Sequence, residues 1–514
     1  MLIGGACGAV SLFFLGRFAF DDLYISFRYA EHLAGGHGLV WNIGHAPVEG
    51  YTNFLLVLYL ALVHAVGLDP LTSVQILNIL LAIIGAYLLA KLALTFFPDP
   101  ASSTARAASI ITAIAYCANP YVWMNALSGL ETVLFTTLIL ASLCSLWRAH
   151  IGEITYFPGF FLAAISVLAR PDGVLFGGLA ALVFVVASPH KKKMVVLAAL
   201  VGFVLPVALY EIWRISYFGS PLPNTYYVKV TNAVNVFAGR AYLVSFYKTE
   251  AMLLLMLLVG IWRIGKNPVF VTAALWVAGL SLFYLVPTPI QGFYYRFLFS
   301  ALVMLTLIAI PAVVSYAFRL KENYRWVLLT VTMAAHLMIN WRAARGEEVQ
   351  AVIPEATETY REIGNMLANI PGRDTLAFAY QDAGVIPYYS KMKHYDLVGL
   401  NDAYIAREKS TDRIVQYLRA ERPEIILLPA EYPKQADSCW SVFRQGHGKM
   451  GQLGPAMVES DLLNDYTLVG RYMYIGYDIL IYVANGAAQA AITRHIKTYD
   501  SRSLMPGGPV PCLH

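Results

Sequence analysis

The chain has 514 residues, of which 58% are hydrophobic and 13% are charged, and its mean hydropathy is +0.57. A soluble globular domain carries about 25% charged residues, so this composition excludes an ordinary soluble enzyme and predicts a polytopic membrane protein. The formal charge of +5 is modest, and nothing in its distribution indicates a nucleic-acid-binding surface.

Apolar runs fill residues 1–344, and several reach the roughly twenty residues that cross a bilayer as a helix. They lie near 2–20, 53–67, 72–96, 107–118, 127–147, 155–169, 173–188, 194–213, 250–262, 268–286, 297–317 and 325–340. Cytoplasmic loops carry an excess of Lys and Arg. The basic segments 148–150, 189–193, 263–266 and 319–325 are therefore predicted to face the cytoplasm.

The alternation of these loops fixes the orientation of the first runs. Run 2–20 lacks the basic region of a cleaved signal, so it is predicted to be a retained anchor that leaves the cytoplasm. If run 72–96 returns to the cytoplasm, run 53–67 does not cross, and we predict an interfacial or re-entrant helix there. The result is about eleven spanning helices, with the N-terminus inside and the tail outside.

Residues 345–514 are richer in charge and read as a separate α/β domain. Segments 375–379 and 424–428 are apolar runs of strand length, and 352–368 and 402–420 have helical patterning. Residues 466–483 resemble a pair of strands with Gly476 near the turn. Strands alternating with helices predict a small, mainly parallel sheet.

Polar residues gather on the predicted outer side, close to the ends of the apolar runs. They are Asp21, Asp22, Arg28, Glu49, Glu131, Arg170, Asp172, Arg214, Asn224, Lys229 and Arg296. Two adjacent carboxylates at the edge of an apolar segment are costly to place there. Carboxylates and guanidinium groups brought together at helix ends predict an acid/base and anion-binding pocket.

Each group also has a purely structural interpretation, which the sequence leaves open. Asp21 and Asp22 are suited to the first turn of a helix, where acidic residues are favourable. Ser128 with Glu131 three residues later fits a capping box. The segment 170–173 has the composition of a turn, which a local ion pair could shape.

Three stretches of the first outer loop, 21–30, 37–42 and 48–53, together resemble a known bacterial family. It is the AftB-like family of terminal β-arabinofuranosyltransferases of actinobacterial cell walls, within the GT-C superfamily. Similar motifs follow in the same order at 128–132, 170–173, 217–225 and 382–402.

The resemblance implies a GT-C-like fold, with the catalytic domain at 1–344, its outer loop at 21–52 and an extracytoplasmic α/β domain at 345–514. It implies a multi-pass protein of the bacterial plasma membrane that takes a sugar from a polyprenyl-phosphate donor. The acceptor would be an envelope glycan or lipid on the outer face. The chain looks shorter than the arabinosyl enzymes, so the transferred hexose or pentose need not be arabinose.

The resemblance implies an outer-loop aspartate near the reaction centre. The chemistry of transfer from a glycosyl phosphate agrees with it and gives the other polar residues candidate roles. Asp22, or else Asp21, is the expected catalytic carboxylate. The expected donor-phosphate ligands are Arg28, Arg170, Lys229 and Arg296. The expected sugar- or acceptor-binding residues are Glu49, Tyr51, Asn53, Glu131, Asp172, Asn224 and Tyr226. A divalent cation, Mg or Mn, is an open expectation, and Glu49, Glu131 and Asp172 are the candidates to bind it as an alternative to sugar hydroxyls.

Two other classes of protein compete with an enzyme. A transporter or flippase of lipid-linked sugars predicts charged residues deep inside the spans, and the apolar runs are nearly free of them. A sensor would place its ligand site in the tail, at 381–384. The crowding of polar residues on one face favours the enzyme.

Overall fold

The computed structural model describes residues 19–231, 236–260, 262, 267–285, 292–346, 349–431, 441–442, 450–474, 477–499 and 504–505. The first predicted run, apart from its last two residues, lies outside this part of the chain, as does Gly476.

Helices alone form the described segments before residue 347. They are α1 (Asp21–Ala34), α2 (Phe54–Ala65), α3 (Pro70–Leu94), α4 (Ser103–Ala118), α5 (Pro120–Leu127), α6 (Thr132–His150), α7 (Phe157–Ala169), α8 (Gly173–Ala187), α9 (Lys192–Ala199), α10 (Leu205–Phe218), α11 (Asn224–Thr231), α12 (Val236–Thr249), α13 (Ala251–Gly260), α14 (Pro268–Phe283), α15 (Phe299–Ala317) and α16 (Glu322–Gly346). A π-helical segment, Leu200–Val204, joins α9 to α10.

Five of the described helices are long and apolar enough to cross a membrane, namely Pro70–Leu94, Thr132–His150, Pro189–Phe218, Phe299–Ala317 and Glu322–Gly346. A bent pair, Phe237–Thr249 with Ala251–Val259, makes a sixth if it counts as one span. Shorter apolar helices include α2, α7, α8 and α14. The predicted number of about eleven spans and the sidedness of the tail stay predictions.

Helix α2 has 12 residues, so it is about 18 Å long against a hydrocarbon core of about 30 Å. Its length fits the expectation that it lies along or dips into the membrane. We expect the exposed Leu68, just after α2, to lie on the extracytoplasmic side of the membrane. A Leu68→Cys variant should be labelled by an impermeant thiol reagent only from the outer side. Labelling from the cytoplasm alone would show that α2 crosses.

The tail forms an α/β domain of helices around a sheet. Its helices are α17 (Val349–Ala368), α18 (Val385–Ser390), α19 (Ala403–Arg407), α20 (Thr411–Glu421), α21 (Met450–Glu459) and α22 (Gln489–Thr498). Its strands are β1 (Ala377–Tyr380), β2 (Lys393–Asp396), β3 (Ile425–Glu431), β4 (Ser441–Val442), β5 (Tyr466–Tyr474), β6 (Tyr477–Ala484) and β7 (Leu504–Met505). The predicted strands and helices of the tail all have a counterpart among these elements.

The prediction of a mainly parallel sheet is wrong. In the described part of the chain the strand order is β2-β1-β3-β6-β5-β7, with β4 paired to β3. Only β2, β1 and β3 run parallel, because helices connect them. The β5–β6 hairpin joins β3 antiparallel through β6, and the remaining pairs are also antiparallel. Local patterning identified each strand but could not give the direction in which the hairpin docks.

Candidate active site

The two adjacent aspartates at the start of α1 have different partners. Asp21 accepts hydrogen bonds from the backbone N–H groups of Gly384 and Val385, at 2.9 and 2.7 Å. Asp22 Oδ2 accepts one from Arg296 Nη2 at 2.8 Å. None of these contacts is to the first turn of α1, whose N-cap, Phe20, makes no side-chain cap bond. Both aspartates do lie in the first turn of α1, as the structural interpretation expects, and each also has a partner elsewhere in the chain.

The Asp22–Arg296 ion pair is partly accessible. The side chain of Asp22 is 27% exposed and that of Arg296 is 11% exposed. The guanidinium of Arg296 lies 4.8 Å from the ring centroid of Phe297. Its Nε is buried and has no hydrogen-bond partner among the residues that the structure describes. The pair thus combines a partly exposed carboxylate with a less exposed guanidinium group beside it.

A strained turn holds Arg296 in place. Tyr294 and Tyr295, which precede it, have φ values of +53° and +51°, and such left-handed residues cost roughly 1–3 kcal/mol each. Asn125 donates to the carbonyl of Tyr294 at 3.0 Å. The Tyr295 hydroxyl bonds to Ser245 Oγ and Thr249 Oγ1 at 2.9 and 3.0 Å. Strain of this kind persists where neighbouring contacts fix it, often at functional sites.

Arg170 extends the cationic side of the site. It donates to Asp172 Oδ2 from Nη2 at 2.7 Å, to the Tyr284 hydroxyl at 3.2 Å and to the carbonyl of Arg296 at 3.2 Å. Burial acts to lower the pKa of Arg170, but the neighbouring Asp172 and Tyr284 outweigh it and raise that pKa, so the guanidinium stays charged. The predicted local pair with Asp172 exists, and it also ties this turn to the Arg296 segment.

Glu131 and Asn53 meet beside the same helix. Asn53 Nδ2 donates to Glu131 Oε2 at 3.2 Å and to Ser26 Oγ of α1 at 3.0 Å. The capping-box interpretation of Ser128 and Glu131 is wrong, because α6 begins at Thr132 and Ser128 ends α5. The carboxylate of Glu131 therefore does not cap α6 through that motif.

Arg28 was expected to bind phosphate, but in the structure its guanidinium bonds to other groups of the chain. Its guanidinium donates to the carbonyls of Trp41, Pro387 and Met392 and to Asn42 Oδ1. It is 3% exposed. Two of these acceptors belong to the tail domain, so Arg28 joins α1 to that domain and has few N–H groups left for a ligand.

Glu49 and Tyr51, two expected sugar ligands, are buried in the same interdomain region. Glu49 forms an ion pair with Arg214 at 2.7 Å, and both side chains are 4% exposed. Tyr51 is 4% exposed, and its ring packs edge-on against Tyr29. These contacts support the outer loop and do not reach the Asp22–Arg296 pair.

Asn224 likewise contacts the tail. Its side-chain amide donates to the carbonyls of Gly399, Leu400 and Asp402 at 2.6, 3.1 and 3.2 Å. Tyr226 is exposed. The side chain of Lys229, an expected phosphate ligand, lies outside the described residues.

The tail also contributes a carboxyl that sequence reasoning did not assign to the catalytic site. Asp382 accepts a hydrogen bond from the Tyr360 hydroxyl at 2.6 Å. Burial raises the pKa of Asp382, and the charge of Asp22 raises it further. Tyr284 and Phe297 were missed as well, and only the aromatic richness of their segments could have suggested them. No group of three or more metal-ligating side chains comes together in the described part of the chain.

In the described part of the chain, a set of helices carries the Asp22–Arg296 ion pair and the Arg170–Asp172 turn at helix ends. The α/β domain of the tail bonds to the start of α1. Solved structures share this fold. ArnT from Cupriavidus metallidurans, bound to undecaprenyl phosphate, has a TM-score of 0.58 at 12% identity, covering 94% of this chain and 98% of ArnT. Arabinofuranosyltransferase AftD from Mycobacteria has a TM-score of 0.51 at 15% identity, covering 94% of this chain and 40% of AftD. The Archaeoglobus fulgidus oligosaccharyltransferase has a TM-score of 0.52 at 12% identity, covering 83% of this chain and 67% of that one.

This chain thus has the fold of the GT-C membrane glycosyltransferases. In sequence it is similar to the terminal β-(1→2)-arabinofuranosyltransferase of Mycobacterium tuberculosis, at 30% identity over 251 residues. That match covers 46% of this chain and 39% of the relative, so the chain spans well under half of the relative's length. The resemblance to the arabinofuranosyltransferases is confirmed. Residues 343–486 match a domain of unknown function, DUF8728.

Proposed function

We propose that the chain transfers a sugar, hexose or pentose, from a polyprenyl-phosphate donor to a glycan or lipid of the bacterial envelope. Transfer takes place at the outer face of the plasma membrane. The observation that carries the proposal is the partly exposed Asp22–Arg296 ion pair, with Arg170 bound to the carbonyl of Arg296. The similarity to an arabinofuranosyltransferase and the undecaprenyl phosphate bound to ArnT support this class of donor.

In the proposed reaction, an acceptor hydroxyl oxygen forms a bond to C1 of the donor sugar while the bond from C1 to the phosphate oxygen breaks. The electron pair of the broken bond leaves with the phosphate, and the polyprenyl phosphate departs. The hydroxyl proton passes to the carboxylate of Asp22, which acts as the general base. Asp22 is suited to this role because it is accessible, whereas Asp21 is occupied by two N–H donors.

The departing phosphate needs positive charge where its own negative charge grows. Arg296 is placed to supply it, because its guanidinium lies beside the partly exposed carboxylate of Asp22. Arg170 supports the same region through Asp172 and Tyr284. We assign Arg296 as the main phosphate ligand and Arg170 as a second positive charge beside it.

Glu131 with Asn53 is our proposed contact for sugar or acceptor hydroxyls, since both are polar and border α1 near Asp22. Asp172 belongs to the Arg170 turn instead. Asn224 bonds to the tail, and Glu49 and Tyr51 support the outer loop. The divalent cation stays a prediction, and adding EDTA to an active preparation would test whether transfer needs one.

Arg296→Gln should raise the KM for the donor about 10- to 100-fold, because a hydrogen bond to a charged group contributes about 1.5–3 kcal/mol. The measurement is release of polyprenyl phosphate as a function of donor concentration. Arg240→Gln, at an exposed arginine of α12, is the matched control and should leave the donor KM unchanged. Equal KM values in the two variants would remove Arg296 from the phosphate site.

A transporter of lipid-linked sugars is the second candidate. It is favoured by two titratable residues, Glu250 and His336, which are fully buried among the helices. Purified protein incubated with a panel of polyprenyl-phosphate sugars and envelope acceptors separates the two. An enzyme releases polyprenyl phosphate and yields glycosylated acceptor, whereas a transporter moves the intact donor between leaflets and consumes none.

A further inference from the structure

Glu250 occupies the break between two helices. It is the single residue between α12, which ends at Thr249, and α13, which begins at Ala251. The two helices bend by 63° at this point. Glu250 is completely buried. A carboxyl group in such a place is costly unless its surroundings use it.

A polar cluster surrounds this break. His336 Nδ1 of α16 lies 3.7 Å from Glu250 Oε2. Asn340, one turn further along α16, donates to the carbonyl of His336 at 3.0 Å, and its Oδ1 accepts from Asn119 Nδ2 at 3.0 Å. His336 and Asn340 are fully buried. The side chain of Asn340 also interacts with the carboxyl group of Glu250. The cluster is therefore connected from Glu250 through Asn340 to Asn119.

Both ends of the cluster are connected to the Tyr294–Tyr295 turn, which directly precedes Arg296. At one end, Glu250 directly follows Thr249, whose hydroxyl, with that of Ser245, bonds to Tyr295. At the other end, Asn119 caps α5 by accepting from the N–H of Tyr121 at 3.0 Å.

The same helix α5 provides Asn125, which bonds to the carbonyl of Tyr294. The cluster is therefore attached to α5 and α12, the two helices whose side chains bond to Tyr294 and Tyr295.

We propose that Glu250, His336, Asn340 and Asn119 are positioning residues that hold Arg296 in place through the Tyr294–Tyr295 turn. The inference rests on the proposed function only for the consequence, which is donor binding by Arg296. If Glu250 is shortened, the break can straighten or shift, Thr249 moves from Tyr295, and the strained turn relaxes. Arg296 then loses its alignment with Asp22.

The first test needs no substrate. In the full-length protein without donor, Glu250→Ala should make amide hydrogen exchange in the segment 292–299 about tenfold faster, a loss of about 1.4 kcal/mol of local protection. Glu250→Gln keeps the shape of the side chain and should stay within about twofold of the unmodified protein. Glu322→Ala, at an exposed glutamate of α16, is the control and should change nothing.

The second test asks whether Glu250 acts through Arg296. Glu250→Ala should raise the donor KM about tenfold in the unmodified chain but less than about twofold in the Arg296→Gln background, because coupled residues are not additive. The same increase in both backgrounds, or unchanged exchange at 292–299, overturns the inference.

Two further outcomes are also decisive. If Glu250→Ala does not insert, Thr249→Val replaces it and should speed the same exchange by removing one bond to Tyr295. If the unmodified protein shows no transfer at all, the proposed function fails, while the exchange result still decides the positioning role.

Discussion

Asp22→Asn should lower the rate of sugar transfer from a polyprenyl-phosphate donor by about 10²- to 10⁴-fold, the usual contribution of a general base. Asparagine keeps the shape of the side chain and can still accept a hydrogen bond from Arg296. The variant should therefore insert and fold normally. Only the capacity to take a proton from the acceptor hydroxyl is lost, so kcat falls while the donor KM changes little.

Glu31→Gln is the matched control for this prediction. Glu31 lies at the other end of α1, is 35% exposed in its side chain and pairs with Lys391. It should retain close to full turnover. If Asp22→Asn transfers sugar at a rate near that of Glu31→Gln, Asp22 is not the base.

The choice between the two aspartates shows what the sequence could and could not provide. Composition and motif order indicated that Asp21 and Asp22 matter. They did not separate the roles, because adjacent residues share every sequence-level property. The separation depends on partners far along the chain: Arg296 is 274 residues from Asp22, and Gly384 is 363 residues from Asp21.

The same difference between local patterns and partners distant in the sequence applies to the other predictions. Helices and strands follow from local patterns of apolar residues, so the tail elements were found close to their observed bounds. The burial of Arg28 could not be predicted, because a buried arginine and a phosphate-binding arginine look alike in a sequence. What distinguishes them is the set of carbonyls around Arg28, two of them more than 350 residues away.

Residues of the loop motifs contact residues of the tail motifs where the tail packs against α1. Arg28 and Asn224 donate to tail carbonyls, and Gly50 lies against Asn401 with no room for a Cβ atom. Arg28 and Asn224, expected to bind phosphate and sugar, thus contribute to an interface with the tail, and Asp21, next to Asp22, bonds to the same domain. A defect in docking should therefore reach Asp22 through its neighbour Asp21.

Gly384→Ala tests this coupling and should have the second-largest effect. An added Cβ would lie 2.0 Å from the Asp21 carbonyl oxygen and 2.4 Å from its Cγ. Since the first of these is a backbone atom, the contact can be relieved only if α18 and the start of α1 move apart. The two N–H bonds to the Asp21 carboxylate would then lengthen or break, at a cost of about 1–3 kcal/mol or more.

We expect Gly384→Ala to lower transfer strongly and to make the tail domain more sensitive to added protease, with the membrane helices intact. Gly346→Ala, where an added Cβ meets nothing within 4 Å, is the control and should match the unmodified protein in both measurements. Loss of activity without increased proteolysis would place the effect at Asp21 alone. If Gly384→Ala behaves like Gly346→Ala, the contact between Asp21 and the tail does not hold the catalytic pair, and Asp22 must be positioned by Arg296 and α1 without it.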